Sequence, residues 1–346
     1  MGSERRLRIG LIGCGFISAR HGPAWLAAED VEFVAVCDQD LSKAQRRATE
    51  WGIAGVYADA RTMLDQERLD VVDIATRPGT HTMLVGLAAA RGIHVLCQKP
   101  LAPTFEEAAA MVATCERAGV RFMVNEMWRY LPPMVAMGRL VQAGAIGPVH
   151  YLRYVWGRQA FRTPHHVFLD QPYFAEMPKL IVYEAMIHSI DAARSLVGEI
   201  DSVYARMVRV SSDIRGEDMA LVVLGHEGGV TSSHDASWVT PGGAPEQAQY
   251  AWRLEGRDGA LDYSERSGEL RLIDTRAAQV LERYPDWATP HQQAFTACIG
   301  HFAHAVRYDE PFRSSARDNL RTLAATFAAY DSARTGQAIR PPIVPA

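Results

Sequence analysis

Nowhere in its 346 residues does the chain carry an apolar run near the ~20 residues that a membrane-spanning helix needs. It also lacks a concentration of one charge. The formal net charge is −4, and past a short "RRLR" near the start the Lys and Arg residues are dispersed. That excludes the basic face a nucleic-acid partner would require. Cysteine is sparse: Cys14, Cys37, Cys97, Cys115 and Cys298 are scattered and odd in number. A disulfide framework and a zinc set are both excluded by that spacing, and the thiols read as small buried hydrophobes in a reducing compartment. No segment is compositionally biased. The opening "MGSERRLRIGLIGCG" puts basic residues before an apolar run, as a signal peptide would. The run is short and broken by glycine, so it reads as a first strand and the expected location is cytoplasmic.

What is present is alternation. "LRIGLIG", "VEFVAVCD", "VVDIATR", "GIHVLCQKP" and "RFMVNE" have the apolar character of strands. Between them "ISARHGPAWLAAE", "LSKAQRRATEWG", "THTMLVGLAAARG" and "FEEAAAMVATCERAG" space their apolar residues for one helix face, and several end in a stop-like glycine. Strands alternating with helices predict βαβ units and a parallel sheet covered on both faces, over residues 1–126.

The first chemistry lies in "GLIGCGFIS", where the first strand turns into a helix. Gly13 permits the tight turn, and Gly15 lets the backbone approach a pyrophosphate at the helix N-terminus. Ser18 stands where the third glycine of a dinucleotide fingerprint would be, small enough for close helix–strand packing. Asp38 ends the second strand 20 positions beyond Ser18, where a carboxylate accepts hydrogen bonds from ribose hydroxyls. A carboxylate repels a 2′-phosphate, so NAD is expected in preference to NADP. Lys43, Arg46 and Arg47, on the next helix, read as a solvated face.

"CQKPLAPT" then places a Lys–Pro pair at the end of a parallel strand, the sheet edge at which such folds bind ligands. With this motif the order of features resembles the glucose-fructose oxidoreductase / inositol dehydrogenase / MocA family. The resemblance runs over nearly the whole chain, through "GLIGCG", "CD", "IATRPGTH", "QKP", "MWRYLP", "EAMIHSID" and "LEGRDGALDY" to "FTACIGHFAHAV" and "LAATFAAYDSARTG". It implies an α/β protein: a Rossmann domain over 1–126, then an α/β domain over 127–346 with a large, mostly antiparallel sheet for substrate binding and oligomerisation. The final helices would pack back toward the first domain. The implied activity is nicotinamide-dependent oxidation or reduction of a secondary alcohol on a sugar, cyclitol or glycoside. The implied assembly is a homodimer or homotetramer.

The resemblance also assigns residues. Cofactor contacts fall on Gly13, Gly15, Phe16, Ile17, Asp38, Thr76, Arg77, Pro78, His81, Gln98 and Lys99. Substrate contacts fall on Lys99, Arg129, Trp156, Arg158, Tyr183, Glu184 and His188. Two positions depart from the family pattern: its Glu-Lys-Pro is Gln98–Lys99–Pro100 here, and its Asp-x-x-x-His is Glu184 and His188.

From about residue 127 the pattern changes to strands separated by Gly-rich turns, with the spacing of antiparallel hairpins. In "YVWGRQAFRTPHH", Trp156, Arg158, Arg162, His165 and His166 would line a pocket or simply pack and solvate along a strand. Adjacent histidines on a strand point to opposite faces, so no metal is expected there. Tyr173 and Phe174 suit either stacking on a sugar ring or ordinary packing. Phe295, Ile299, Phe302 and Val306 make an apolar helix face, while His301 and His304 read as non-catalytic.

"IVYEAMIHSID" carries the proposed acid–base group. As a helix it aligns Glu184, His188 and Asp191 at i, i+4 and i+7. Alone, that line reads as a wet polar stripe opposite Tyr183, Met186, Ile187 and Ile190. The dinucleotide fingerprint and Lys99 reverse this, because alcohol oxidation needs a base that titrates near neutrality. His188 is expected as principal acid/base, Glu184 as its orienter, and Lys99 as the charge that stabilises the alkoxide or relays a proton. Asp191 reads as a structural acceptor. Three other readings stay open: NAD-assisted glycoside cleavage with no net cofactor turnover, a metal-dependent sugar isomerase or hydrolase, and a non-catalytic NAD sensor.

Overall fold

In a computed structural model the chain is described over residues 5–158, 171–240 and 249–344. Arg162, His165 and His166 lie outside the described residues. Two compact units emerge. The first comprises Met1–Tyr130, Gln292–Leu320 and Val344–Ala346; the second comprises Leu131–His291 and Arg321–Ile343.

In the first unit the elements run β1 (Leu7–Ile12), α1 (Ser18–Leu26), β2 (Val31–Cys37), α2 (Leu41–Trp51), β3 (Gly55–Tyr57), α3 (Ala60–Gln66), β4 (Val71–Ile74), α4 (Pro78–Ala89), β5 (His94–Cys97), α5 (Phe105–Arg117) and β6 (Phe122–Val124). The strands form one parallel sheet in the order β3-β2-β1-β4-β5-β6. Ile9, Leu11, Val36, Val72, Ile74, Val95 and Leu96 are fully buried, which is why these strands read as continuous apolar runs. Local chemistry punctuates the helices. Asp40, Asp59 and Thr104 accept main-chain N–H bonds at the starts of α2, α3 and α5. Gly52 ends α2 at φ 71°, which a glycine adopts without strain. The helix α8 (Ala288–Tyr308) contributes Phe295, Ile299 and Phe302, all buried. Phe302 meets Trp25 edge-on at 6.2 Å. At about 2 kcal/mol for each large apolar side chain, three such anchors suffice to dock a distant helix.

The second unit holds α6 (Pro132–Gln142), β7 (Val149–Gly157), a π-helical turn (Ile181–Met186) leading into α7 (Ile187–Val197), and β8 (Ile200–Val208). Then come β9 (Met219–His226), β10 (Thr231–Ser237), β11 (Gln249–Gly256), β12 (Ala260–Ser264), β13 (Glu269–Ile273) and β14 (Ala278–Arg283). Helix α9 (Ala316–Thr335) straddles the boundary at Leu320/Arg321. The eight strands order as β14-β13-β12-β11-β7-β10-β9-β8. All neighbours are antiparallel except β7 and β10, a parallel pair that hairpin spacing does not foresee. Parallel neighbours need a crossover, and the chain between them supplies α7 and two strands. Burial alternates along β7 and β9: Leu152, Tyr154 and Trp156, and Val222 and Leu224, face the core while their neighbours face out.

Candidate active site

The turn after β1 is built for close approach. Gly13 adopts φ 101°, and a Cβ there would lie 2.6 Å from the Ala75 carbonyl oxygen, so only glycine fits. A Cβ at Gly15 would meet nothing within 4 Å. This is a cradle open on the side a ligand would use. The α1 N-terminus behind it has no side-chain cap, which leaves its N–H dipoles for an anion. Asp38 is fastened to the same turn: its carboxylate accepts the Cys14 N–H at 2.8 Å and the Asp40 N–H at 2.9 Å. Of the cations on α2, Lys43 lies 3.6 Å from Asp40, whereas Arg47 is not part of a solvated face: it pairs with Glu50 at 2.6 Å and donates to Ser18 Oγ at 3.2 Å and to the Gly15 carbonyl at 3.4 Å. A ribose diol suits this carboxylate, and a 2′-phosphate does not. Burial pushes the Cys14 and Cys37 thiols up to about 12, so neither is a nucleophile.

The β4–α4 turn holds three further residues. Arg77 is the N-cap, Pro78 the first helical residue, and the Thr76 hydroxyl lies 2.7 Å from that of Thr80. Phe16 is exposed beside Ile17, the α1 N-cap. His81 is fully buried, its nitrogens 3.0 Å from the Leu101 carbonyl and 3.1 Å from that of Thr76. Burial lowers its pKa. It braces the Thr76 backbone from beneath.

Lys99 follows β5, half-buried, with a cis peptide to Pro100. Its main-chain N–H donates to Gln98 Oε1 at 2.9 Å, and that bond settles the amide orientation. Gln98 Nε2 therefore faces His21 Nε2 at 2.7 Å, joined by Asn125 Nδ2 at 3.3 Å. Both are donors, so His21 Nε2 accepts and the ring proton sits on Nδ1. From there it is donated to Asp73 Oδ2 at 2.7 Å, which also accepts from Trp25 Nε1 at 2.6 Å. This assigns His21 as the Nδ1–H tautomer. It also gives the glutamine a reason. A carboxylate at 98 would set an acceptor against the His21 lone pair, whereas the amide donates to it. His21, Asp73 and Asn125 are all fully buried, and nothing local in "ISARHGPAW" marks them as a network.

Arg129 sits on a 3-10 turn, Met127–Tyr130, with its guanidinium on Asp318 at 2.7 Å and on the Arg313 carbonyl.

In the second unit Glu184 lies in the π-helical turn and His188 is the second residue of α7. The polar line is not a wet stripe. Glu184 is 6% exposed, Asp191 is fully buried, and His188 is half-buried. Asp191 accepts from the Thr322 hydroxyl at 2.7 Å and faces Arg194 at 3.7 Å, a structural role. Ser189, next to His188, lies 3.0 Å from His234 of β10 and donates to the Met186 carbonyl at 2.9 Å. Tyr183 is buried and stacks on Phe327 at 5.9 Å. Trp156 points inward from β7, stacked on Tyr250 at 5.0 Å and edge-on to Trp238 at 5.8 Å. Phe174 stacks on Trp238 at 6.0 Å, the packing alternative for that residue. Arg158 follows β7, its main-chain N–H on the Ser237 carbonyl. His301 accepts the Arg313 N–H at 3.0 Å. Among the described residues no three His, Cys, Asp or Glu side chains are arranged to hold a metal ion. Also among them, no helix is long and apolar enough to cross a membrane.

A 3-2-1-4-5-6 parallel sheet, a glycine cradle at an uncapped helix N-terminus and a carboxylate ending β2 define an NAD-dependent oxidoreductase. Comparison with known proteins names the family. Residues 7–126 match the oxidoreductase family with an NAD-binding Rossmann fold, and residues 134–262 match the GFO/IDH/MocA C-terminal domain. The chain belongs to the Gfo/Idh/MocA family. It is 40% identical to a D-apiose dehydrogenase of Paraburkholderia graminis, over 97% of this chain and 90% of that one. To a D-apiose dehydrogenase of Rhizobium rhizogenes it is 33% identical, over 96% and 97%. An oxidoreductase from Agrobacterium radiobacter, solved with NAD+, L-tartaric acid and magnesium, superposes with a TM-score of 0.90 at 32% identity, covering 97% of this chain and 98% of that one.

Proposed function

We propose that the protein oxidises a CH–OH group of a small sugar, D-apiose being the first candidate, with His188 as acid/base. The observation that carries the residue assignment is the pairing on one helix of a buried carboxylate, Glu184, with a half-buried imidazole, His188. The sugar class draws on the two apiose dehydrogenases, the more similar of them 40% identical.

NAD, when bound, supplies nicotinamide C4 as the hydride acceptor. Gly13, Gly15, Phe16, Ile17 and Asp38 would hold its adenosine and pyrophosphate portions, and Thr76, Arg77 and Pro78 the remainder, with His81 bracing Thr76 and Gln98, closed on His21 and the Lys99 N–H, bracing Lys99. His188 takes the hydroxyl proton as hydride leaves carbon, Glu184 fixes the imidazole orientation, and the Lys99 ammonium lowers the hydroxyl pKa. Arg158 and Lys99 are the substrate-facing cations in this scheme. Arg129, Trp156 and Tyr183 support the walls, because each is already committed to protein partners.

The assembly we propose is a homo-oligomer through the outward face of the large sheet. There Tyr204, Val208, Met219 and Leu221 are 37%, 47%, 38% and 40% exposed side by side on β8 and β9. Five buried free thiols suit a reducing cytoplasm.

A screen of NAD and NADP reduction against D-apiose, D-xylose, inositols and levoglucosan at alkaline pH tests the proposal. Steady NADH formation with a sugar is expected, slower with NADP. No reduction with any of them sinks the sugar assignment.

A further inference from the structure

The helix that carries Glu184 and His188 starts in an uncommon way. Ile181–Met186 wind as a π-helix before α7 takes ordinary pitch, and Leu180 at the N-cap (φ −127°, ψ −85°) offers no side-chain cap. A π turn is rare and persists where its surroundings over-determine it. Every helix start also leaves main-chain N–H groups without intrahelical acceptors.

Here those groups end on two residues brought from elsewhere in the second unit. Glu217, just ahead of β9, accepts the N–H of Leu180 at 3.0 Å and of Val182 at 3.1 Å on one carboxylate oxygen. Its main-chain carbonyl accepts the Ile181 N–H at 3.2 Å. Tyr330 of α9 donates its hydroxyl to the same carboxylate oxygen at 2.5 Å. The Tyr330 oxygen in turn accepts the Tyr183 N–H at 3.1 Å. Four successive N–H groups are thus satisfied from a strand entry and a distant helix. Gly216 makes the approach possible, since a Cβ there would lie 2.7 Å from Leu180 Cβ and 2.8 Å from the Met177 carbonyl oxygen. Glu217 is buried, and desolvation pushes its pKa up while the hydrogen bonds oppose that rise.

We propose that Glu217 and Tyr330 are positioning residues for the acid–base helix: they hold the π-helical turn and thereby set where Glu184 and His188 present their side chains. This rests on the assignment of His188 as acid/base. Neither residue is given contact with substrate or cofactor.

The test compares Glu217→Ala, Glu217→Gln and Tyr330→Phe in the full chain, with D-apiose and NAD. Three readouts are taken: amide exchange at 180–183, KM for NAD, and the pH profile of kcat. Glu217→Ala is expected to speed exchange at these amides by about tenfold or more, against unchanged exchange in the sheets. It should lower kcat by about tenfold, since small displacements of a reacting group are costly. The acidic limb of its kcat profile should move by about half a unit, with KM for NAD held within about twofold. Glu217→Gln keeps an acceptor oxygen and should recover kcat to within about threefold of wild type. Tyr330→Phe should fall between the two.

A folded Glu217→Ala with wild-type kcat and pH profile overturns the proposal, as does Glu217→Gln being as impaired as Ala. If Glu217→Ala does not fold, unchanged kcat and exchange in Tyr330→Phe overturn it instead. Absence of sugar turnover by the wild type defeats the substrate assignment alone. The exchange comparison then decides the clamp, and unchanged protection at 180–183 in the variants overturns it.

Discussion

Two histidine–carboxylate pairs sit in this protein, one in each unit, and they differ in what they can do. His21 and Asp73 are both fully buried, 2.7 Å apart, and the second ring nitrogen is taken by Gln98 and Asn125. No lone pair or proton of His21 is left for a ligand. Glu184 is buried as well, but His188 keeps part of its surface in the open. The difference lies in access: the closed histidine with its carboxylate makes a brace, and the part-open imidazole of His188 is the one we propose as acid–base group.

The sharpest way to break that comparison is to remove each histidine. His188→Ala and Lys99→Ala are each expected to lower turnover by about a hundredfold or more, the range of a general acid–base group. NAD binding, followed by fluorescence titration, should survive in His188→Ala. Near-wild-type kcat in both variants ends the assignment. His21→Ala should do the reverse. It strands the Asp73 carboxylate and the Gln98 amide in the core, at a cost of about 3 kcal/mol in urea unfolding. Turnover per folded molecule should stay within about tenfold, with the kcat pH profile in place. A variant that unfolds normally but loses the profile would make His21 the acid–base group.

Gln98→Glu sharpens the comparison on the closed side. A carboxylate at 98 sets an acceptor against the acceptor nitrogen of His21, so the network must take up a proton to re-form. The expected loss at pH 8 is about 1–3 kcal/mol of stability, the cost of an unsatisfied buried group. That loss should shrink as the pH falls, because protonation of the introduced carboxylate turns it into a donor toward the ring nitrogen. A loss independent of pH would refute the tautomer assigned to His21.

How much of this was legible in the sequence depends on chain distance. Gly13, Gly15 and Asp38 could be read because a tight turn and the end of the next strand follow at a recognisable spacing, 20 positions from Ser18 to Asp38. The helix bearing Glu184 and His188 could be read from periodicity, but its π-helical start could not. The groups that impose it, Glu217 and Tyr330, lie 33 and 146 positions beyond Glu184 (217 − 184 and 330 − 184). Asp73 is 52 residues from His21, and Asp318 is 189 from Arg129, so neither partner could be foreseen. The three-residue strand β3 escaped for another reason: none of its residues is buried, so it lacks the apolar run that marks the equally short β6. The parallel pairing of β7 with β10 is likewise a property of the crossover, invisible in either strand.

The smallest expected effect asks whether closure matters in the same way in the second unit. His234 is fully buried between Ser232 at 3.1 Å and Ser189 at 3.0 Å, and burial lowers its pKa to about 3. Below the ordinary histidine value the unfolded chain binds a proton there and the native protein does not. The contribution of His234 to stability is therefore complete above about pH 6.5 and declines as pH falls, until the native ring itself titrates. The slope is about 1.4 kcal/mol per pH unit, or roughly 2 kcal/mol between pH 6.5 and 5. Glu265, raised to about 7 by burial, works in the opposite direction, so the absolute profile is a mixture. The diagnostic quantity is the difference between wild type and His234→Gln, a variant with no group to protonate. Urea midpoints measured from pH 7.5 to 5 should show the wild type losing stability relative to the variant below pH 6.5. Parallel profiles would mean that His234 charges in the native state, and that burial does not close it as it closes His21.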